Sequence, residues 1–450
     1  MEPQAHVTLE QLHAELAQGR VDQAAALLQA EHPADAADIL TALETDDRVT
    51  VASRLDREGL AAIFQHLDLD QAAELAGRLD PAMASGVLDL SEPDVAADVL
   101  GAMESTPAAE VLGQMQSAQR VAPLLLHEED SAAGVMTPDF LALDSGMTVD
   151  EALRYLRATK PSATAAYYLY VVDAERRLSG TVNLRDLVVS GPTATLRSIM
   201  NPEVVTVPAG TDQEEAVRLM RHYDLMALPV VDDNNRLIGT ITFDDAADVI
   251  DEETTEDMYR LAGIPEEERA LGPLRQSLRR RVPWLLVNLC TAFLSGYVVS
   301  LFSHTIEQLS AITIFMPVVA GHGGNTGTQA ATIMVRSLAL GEVAPEHVRR
   351  ILQKEIAFSV IHGTLAGCLA GALGMVLVGN PWLGLVVAVA MLGNIILAGF
   401  VGSLMPMFLR LIGLDPALMS SIFLTTFTDI GGFLLLLGLG TMVLSRLVGT

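Results

Sequence analysis

The sequence predicts a multidomain fold: an N-terminal α-superhelical domain, an α/β domain, a connecting helix and an all-α transmembrane domain of five helices. Three observations predict this order. Short amphipathic helical segments recur at intervals of about a dozen residues before residue 130. Several sequence blocks then occur twice, in the same order, between residues 131 and 250. Finally, the apolar residues concentrate after residue 280 in runs long enough to cross a bilayer.

Residues 1–130 are predicted to form short helices that stack on one another. The segments PADAADIL, LDLDQAAEL and LSEPDVAADVL open with a capping residue or proline and continue with apolar residues at i, i+3 and i+4. Repeated units of this kind favour a superhelix, with an ordinary helical bundle as the alternative. Asp94 and Asp98 lie one helical turn apart and are candidate cation ligands, with a solvated acidic face as the competing interpretation.

Residues 131–250 contain an internal duplication. The paired blocks are VMTPD and IMNPE, VDEAL and QEEAV, YVVD and PVVD, and LSGTVNLRD and LIGTITFDD. This pattern resembles a tandem pair of CBS (cystathionine-β-synthase type) domains, with copies at 131–197 and 198–250. The resemblance implies one α/β module that senses a ligand. Thr242 and Asp245 match the family's nucleotide-ribose position, which makes adenine nucleotide a candidate ligand.

The segment 246–272 is predicted to be an acidic connecting helix that ends near Gly263. Asp245, Asp248 and Glu252 fall on one face, with Glu256 one turn further. Like charges at this spacing destabilise a helix by a few tenths of a kcal/mol per pair, so a bound cation would relieve them. Oxygen ligands favour Mg²⁺ or Ca²⁺, and simple solvation of the acids is the alternative.

The charge is distributed unevenly along the chain. Residues 1–272 hold 50 acidic and 18 basic side chains, whereas the remainder carries a small positive excess. So acidic a region is repelled by nucleic acid and anionic lipid, and it attracts cations. The two cysteines, Cys290 and Cys368, lie in apolar segments and indicate neither a disulfide framework nor a thiolate metal site. The first residues lack a signal-peptide pattern, which predicts cytosolic N-terminal domains.

Five membrane spans are predicted in the transmembrane domain, 273–450, at roughly 283–302, 311–338, 354–378, 383–409 and 417–444. Basic residues precede the first span and follow the second and fourth, so the positive-inside rule predicts a cytoplasmic N-terminus and an external C-terminus. The glycine-rich segment GHGGNTGTQ, residues 321–329, predicts a break in the second span, and its Asn325 supplies a neutral oxygen. Glycines at 363, 367 and 371 form a ridge for close packing, either within the chain or at a dimer seam.

The last span carries one charged residue, Asp429, near its middle. An ionised carboxylate at that depth costs about 2.5–3.5 kcal/mol, so Asp429 is expected to face a partner or a water-filled path. Ser421, Thr425 and Asp429 lie on one stripe at i, i+4 and i+8, which favours a polar line that handles a cation. Neutralisation of Asp429 by protonation, or by hydrogen bonds to its threonines, is the alternative.

The order of these segments, with GGNTGTQ at 323–329, LDPAL at 414–418 and TTFTD at 425–429, resembles the MgtE family of magnesium channels and transporters. The resemblance implies a homodimer with Asp429 of each chain facing a pore on the two-fold axis, and Asp415 at its cytosolic mouth. It also implies regulatory Mg²⁺ sites at Asp212, Glu214, Asp224, Asp245, Asp248, Glu253, Glu256 and Asp257. One departure is Gly399, where the family often has Asn.

The predicted function is therefore a Mg²⁺-selective channel or transporter of the inner membrane, gated by cytosolic Mg²⁺ on the acidic domains, with ATP as a candidate modulator. The alternatives are a broader transporter of Co²⁺, Mn²⁺ or Ca²⁺, and a membrane-tethered nucleotide sensor built on the CBS pair. No enzymatic activity is predicted, because the histidines of the spans, His304, His322 and His362, are scattered in sequence and form no nucleophile–base set.

Overall fold

The computed structural model describes residues 9–161, 165, 168–265, 268, 274–343, 347–418 and 421–444, with the side chains of 418 and 421 outside the description. The chain forms two compact units, Met1–Ile250 and Asp251–Thr450. The first unit contains the N-terminal helices and the duplicated α/β region. The second contains the greater part of the connecting helix and all the long apolar helices.

Short helices stack in the N-terminal part of the first unit. Many of them pack against the helix two positions further along the chain, which is the arrangement of the predicted superhelix. Proline or an acidic residue sits at the first positions of several of them, where free N–H groups need acceptors. The helices are α1 (Leu9–Ala17), α2 (Val21–Gln29), α3 (Pro33–Thr41), α4 (Thr45–Ala52), α5 (Arg57–Phe64), α6 (Leu69–Arg78), α7 (Pro81–Leu88), α8 (Pro93–Ala102), α9 (Ser105–Gln114) and α10 (Ala118–Val121).

Two three-stranded sheets with the same topology follow, one for each predicted copy. In each sheet the first strand is parallel to the second, and the second is antiparallel to the third. The copies meet through a buried hydrogen bond between the hydroxyls of Tyr170 and Thr240, 2.8 Å apart. The elements are β1 (Leu141–Asp144), α11 (Val149–Thr159), β2 (Leu169–Val172), β3 (Leu178–Val182), α12 (Leu184–Val189), α13 (Leu196–Ile199), β4 (Val207–Pro208), α14 (Gln213–His222), β5 (Ala227–Val231) and β6 (Leu237–Thr242).

The acidic helix α15 (Phe243–Ala262) starts directly after β6 and is continuous across the boundary between the units. It ends where Gly263 adopts a left-handed conformation, with φ of +68°. A Cβ at Gly263 would lie 2.2 Å from Trp284 Nε1 and 3.3 Å from Ile422 Cδ1. Glycine is therefore needed both for the backbone turn and for the close approach to the membrane helices. Part of the predicted connecting segment, 266–267 and 269–272, lies outside the described residues.

The second unit is built from long helices joined by short ones. They are α16 (Leu274–Ser300), α17 (Ser303–Gln308), α18 (Met316–Ala339), α19 (Val348–Val378), α20 (Pro381–Leu411) and α21 (Ser421–Met442). Of the described helices, α16, α19, α20 and Ile422–Met442 of α21 are both long and apolar enough to cross a membrane. Helix α18 has 24 residues, about 36 Å, but its polar and glycine residues lower its mean hydropathy. Four spans thus meet both criteria, where the sequence predicted five.

The predicted break in the second span is wrong. Helix α18 runs without interruption through residues 321–329. A helix keeps its backbone hydrogen bonds inside the segment, and the glycines instead permit close packing. A Cβ at Gly402 of α20 would lie 2.4 Å from the carbonyl oxygen of Gly327, so the two backbones nearly touch.

The glycine ridge of α19 packs within the chain. A Cβ at Gly367 would lie 2.6 Å from the carbonyl oxygen of Ala388, and one at Gly371 would lie 2.5 Å from that of Gly384. Both oxygens belong to α20. Of the two alternatives left open by the sequence, the ridge therefore serves the α19–α20 contact.

Candidate cation sites

Asp429 lies near the middle of α21 and is partly exposed on the isolated chain. Among the described residues it forms neither a hydrogen bond nor an ion pair. The neighbouring hydroxyls do not serve it: Thr428 donates to the carbonyl oxygen of Thr425 at 3.0 Å, and Thr426 donates to that of Ile422 at 2.7 Å. The carboxylate oxygens of Asp429 thus keep their full capacity to accept hydrogen bonds from ligand water or to bind a cation.

The glycine-rich part of α18 packs beside the polar part of α21. A Cβ at Gly324 would lie 3.8 Å from both Thr425 Cγ2 and Thr428 Oγ1. Thr425 and Asn325 are exposed on the isolated chain, whereas Thr428 is fully buried. The structure therefore places the polar face of α21 next to the glycine motif. The predicted contribution of Ser421 falls on a side chain outside the described residues.

Asn394 of α20 is a polar residue at the centre of the second unit that the sequence analysis missed. It is fully buried, and its Nδ2 donates a hydrogen bond to the carbonyl oxygen of Val319 at 2.8 Å. Its Oδ1 has no hydrogen-bond partner among the described residues. Cβ atoms at Gly323 and Gly432 would lie 2.3 Å and 2.8 Å from Nδ2, so Asn394 fills a space that α18 and α21 leave by having glycine there.

In the first unit, Asp94 of α8 lies close to Asp245 of α15. Burial, together with the charge of Glu92, raises the pKa of Asp94 to about 6. Burial and then the charge of Asp94 raise the pKa of Asp245 to about 7, and Asp244 adds to the effect. Asp245 also accepts hydrogen bonds from the hydroxyl and backbone N–H of Thr242. The two carboxyl groups are shielded from solvent and repel each other when ionised. A divalent cation between them would stabilise their ionised forms.

A second acidic site forms in the second unit (hereafter the membrane unit), where α15 meets the segment between α20 and α21. Arg260 forms ion pairs with both Asp415 and Glu256. Asp415 also accepts the backbone N–H of Ala417 at 2.7 Å. Burial, followed by the charges of Asp415 and Glu253, raises the pKa of Asp257 to about 6, while Arg260 and Arg336 oppose this increase. The sequence analysis missed Arg260, which is the internal cation of this site.

The other predicted regulatory residues include a helix cap and several exposed acids. Asp212 caps α14 by accepting the N–H of Glu214 at 2.9 Å, and Asp224 follows that helix with a φ of +51°. Asp98, Glu214, Asp248 and Glu252 are exposed. Within the described ranges, no group of three or more His, Cys, Asp or Glu side chains is arranged to hold a metal ion. The described part of one chain therefore offers pairs of carboxylates, such as Asp94–Asp245 and Asp257–Asp415.

Comparison with known proteins decides the family. The magnesium transporter MgtE of Thermus thermophilus is 40% identical over 328 residues, which cover 72% of both chains. The chain belongs to the MgtE family. The magnesium transporter MgtE of Enterococcus faecalis is 34% identical over 335 residues, 74% of this chain and 73% of that one. Family models match as MgtE intracellular N domain (13–130), CBS domain (131–190 and 196–252) and MgtE divalent cation transporter (316–439).

A solved structure supports the fold of the first unit. The cytosolic domain of the Mg²⁺ channel MgtE in complex with ATP is 37% identical, with a TM-score of 0.50. The match covers 100% of that chain and 54% of this one. The inosine-5'-monophosphate dehydrogenase of Nitrosopumilus maritimus matches over only 114 residues, 25% of this chain, and reflects a shared CBS pair. MgtE is a transporter family, which confirms the prediction that the chain is not an enzyme.

Proposed function

We propose that this MgtE protein conducts Mg²⁺ across the cell inner membrane along the face of α18 and α21 that carries Asn325, Thr425 and Asp429. The observation that carries the proposal is Asp429, an acidic side chain in a membrane-spanning helix with no partner among the described residues. An acidic group at that depth is costly unless water or a cation reaches it. Membership in a magnesium transporter family supports Mg²⁺ as that cation.

The chemistry of the face suits a hydrated ion. Mg²⁺ loses its water reluctantly, so carboxylate, amide and hydroxyl oxygens can bind its water shell without replacing it. In a homodimer, two copies of Asp429 would face the two-fold axis and supply two negative charges to one path. The dimer also explains why polar residues such as Asn325 and Thr425 are exposed on the isolated chain.

Cytosolic Mg²⁺ is proposed to close this path by binding the acidic residues of α8, α15 and the α20–α21 segment. The Asp94–Asp245 pair and the Asp257–Asp415 pair both carry mutual repulsion that a cation removes. A bound cation favours the state that holds the two carboxylates close together. The closed state is proposed to be that state, so high Mg²⁺ stabilises it. The exposed acids Asp98, Glu214 and Asp224 are proposed to complete such sites across the dimer.

Nucleotide binding at the CBS pair is a second candidate function. Thr242 is buried and donates to Asp245, the two residues that match the ribose position of CBS domains. The related cytosolic domain was solved with ATP. Because ribose hydroxyls and Mg²⁺ would compete for the carboxylate of Asp245, nucleotide is proposed to modulate the response to Mg²⁺.

Uptake of Mg²⁺ into liposomes tests the transport proposal. We compare the wild-type protein with Asp429→Asn and with Glu307→Gln, which removes an exposed acid of α17 in the same unit. The expected result is loss of Mg²⁺ uptake in Asp429→Asn alone. Parallel assays with Ca²⁺, Mn²⁺ and Co²⁺ separate a Mg²⁺-selective path from a broader one. Equal uptake by Asp429→Asn and the wild type would contradict the proposal.

The gating proposal needs a separate measurement. Mg²⁺ flux is recorded while Mg²⁺ on the cytosolic side is raised, for the wild type, Asp257→Asn and the control Asp38→Asn, an exposed acid of α3. We expect Asp257→Asn to need more Mg²⁺ for closure, since one carboxylate of the site is gone. An unchanged closing concentration would reject this site as a sensor while leaving the transport proposal intact.

A further inference from the structure

Two histidines that the sequence places far apart meet through their ring nitrogens in the second unit. His322 of α18 and His362 of α19 have their Nε2 atoms 3.2 Å apart, and their ring centroids are separated by 5.1 Å at an interplanar angle of 50°. The two residues are 40 positions apart in the sequence, so their contact was not visible there. Helix α18 carries the GGNTGTQ motif directly after His322, so the pair adjoins the segment proposed to line the ion path.

The distance between the nitrogens suits a shared metal ion. Zinc-to-imidazole bonds are about 2.0–2.1 Å long, so two imidazoles on one tetrahedral ion have nitrogens separated by about 3.3 Å. Cross-helix pairs of metal-binding side chains are a common way to build sites in helical bundles. A neutral N–H···N hydrogen bond has nearly the same length, and it is the alternative that an experiment must separate.

The surroundings leave the pair with few other polar contacts. His362 Nδ1 is buried without a hydrogen-bond partner among the described residues, and the ring of Phe358 packs 5.6 Å from the imidazole of His362. His322 is partly exposed and lies one helical turn before the exposed Asn325. Ions and water that reach Asn325 are therefore close to the pair.

We propose that His322 and His362 form a two-imidazole site for a divalent transition-metal ion of the Zn²⁺ or Co²⁺ class, with water completing the coordination. Imidazole nitrogen prefers these ions, whereas Mg²⁺ prefers oxygen, so the site discriminates against the proposed cargo. A bound ion ties α18 to α19 beside the path. Binding of the transition-metal ion to the histidine pair does not depend on the proposed Mg²⁺ transport. An effect of that bound ion on Mg²⁺ flux would depend on it.

Cobalt binding to the full-length protein in detergent tests the site, with Mg²⁺ in large excess to saturate oxygen-rich sites. The visible absorption spectrum of Co²⁺ changes when imidazole nitrogens replace its water ligands. The change should be reversed when Zn²⁺ displaces Co²⁺ from the site. We expect one such ion per chain in the wild type. His322→Leu and His362→Leu should each weaken binding at least about tenfold, because a lost ligand costs at least as much as a lost second-shell partner. The matched control replaces His304 of α17, whose Nε2 lies 3.2 Å from the side-chain nitrogen of Gln308. His304→Leu should bind Co²⁺ as the wild type does.

Folding is controlled by a further variant and a second readout. His362→Asn keeps a hydrogen-bonding side chain while removing the imidazole, and its melting temperature without metal identifies any loss of fold. Zn²⁺ should raise the melting temperature of the wild type and of His304→Leu, but not of a folded His362→Asn. Absence of Co²⁺ absorption in the wild type, or equal binding by folded His322 and His362 variants, would show that the pair is a hydrogen bond only. Loss of metal binding with normal Mg²⁺ uptake would leave the transport proposal standing.

Discussion

Replacement of Asp245 by asparagine should stabilise the first unit when no divalent cation is present. Asp245 and Asp94 are carboxyl groups in shielded positions, and Glu92, Asp244 and Asp139 contribute further negative charge around them. Asparagine keeps an oxygen that can accept the hydrogen bonds from Thr242, and it has nearly the same volume. The substitution therefore removes the charge while it preserves an acceptor for Thr242 and the packing.

The magnitude follows from the raised pKa. The pKa of Asp245 rises from 3.8 to about 7, and each pH unit between those values corresponds to about 1.4 kcal/mol. The carboxyl group of Asp245 binds a proton more tightly in the folded state than in the unfolded state. The free energy of unfolding therefore falls as pH rises from about 4 to about 7 and then levels off. Above pH 7 the loss is on the order of 4 kcal/mol. Because asparagine carries no charge, it avoids both the burial of an ionised group and the repulsion by Asp94, and we expect Asp245→Asn to recover about 2–4 kcal/mol.

Hydrogen exchange of the full-length protein in detergent and EDTA measures this directly. Amides of α8 and α15 should exchange at least about tenfold more slowly in Asp245→Asn than in the wild type at pH 8, because each 1.4 kcal/mol of opening free energy is tenfold in rate. The difference should shrink at pH 5, and Asp38→Asn should show none. Equal or faster exchange in Asp245→Asn at pH 8 would refute the argument that the ionised pair is costly.

Three further substitutions test other contacts. Arg260→Gln removes the cation between Asp415 and Glu256, so the C-terminal half of α15 should exchange up to about tenfold faster, while Arg275→Gln, at an exposed position of α16, should not change it. Gly323→Ala places a methyl group 2.3 Å from Asn394 Nδ2, which should lower stability by about 1–3 kcal/mol in thermal unfolding, and Asn394→Ala should restore part of that loss. Gly402→Ala meets the backbone oxygen of Gly327 at 2.4 Å, so its cost should persist in the Asn394→Ala background.

Local sequence signals predicted the helices and strands of the first unit well. The proline at the start of α8 acts within one turn of that helix, so its effect is visible in sequence. The duplication predicted a paired α/β module, and the two copies indeed form sheets of equal topology. Capping and repeats are local properties, and they do not depend on the tertiary fold.

The glycines of the membrane unit were harder to interpret, because their role depends on which helix approaches them. In α18, helix propensity argued for a break, but close contact with α20 at Gly402 compensates for the weakness of glycine in a helix. Gly399 shows the same principle: a Cβ there would lie 2.1 Å from the buried hydroxyl of Ser359 on α19. The absence of a side chain at position 399 thus makes room for a serine on the facing helix, a relation that one sequence cannot reveal.

The candidate sites divide along the same line. Asp429 was predicted because a charge in an apolar run is visible locally. The pairs Asp94–Asp245, Arg260–Asp415 and His322–His362 join residues between 40 and 155 positions apart, so spacing along a helix carried no signal for them. Sequence identified most of the acidic members, whereas the tertiary structure decides which of them repel each other and which have an internal cation.

These electrostatic differences suggest how the two acidic pairs divide the proposed sensing. A swing from 1% to 99% closed requires about 5.5 kcal/mol of preferential binding to the closed state. Burial and the charge of Asp94 together cost the ionised Asp245 on the order of 4 kcal/mol above pH 7, and a cation bound there would offset part of that cost. At the Asp257–Asp415 pair, Arg260 already neutralises part of the charge, so Mg²⁺ gains less there. On this reasoning the Asp94–Asp245 pair should dominate the Mg²⁺ response, and its contribution should decline as pH falls toward 6, where protons replace the cation.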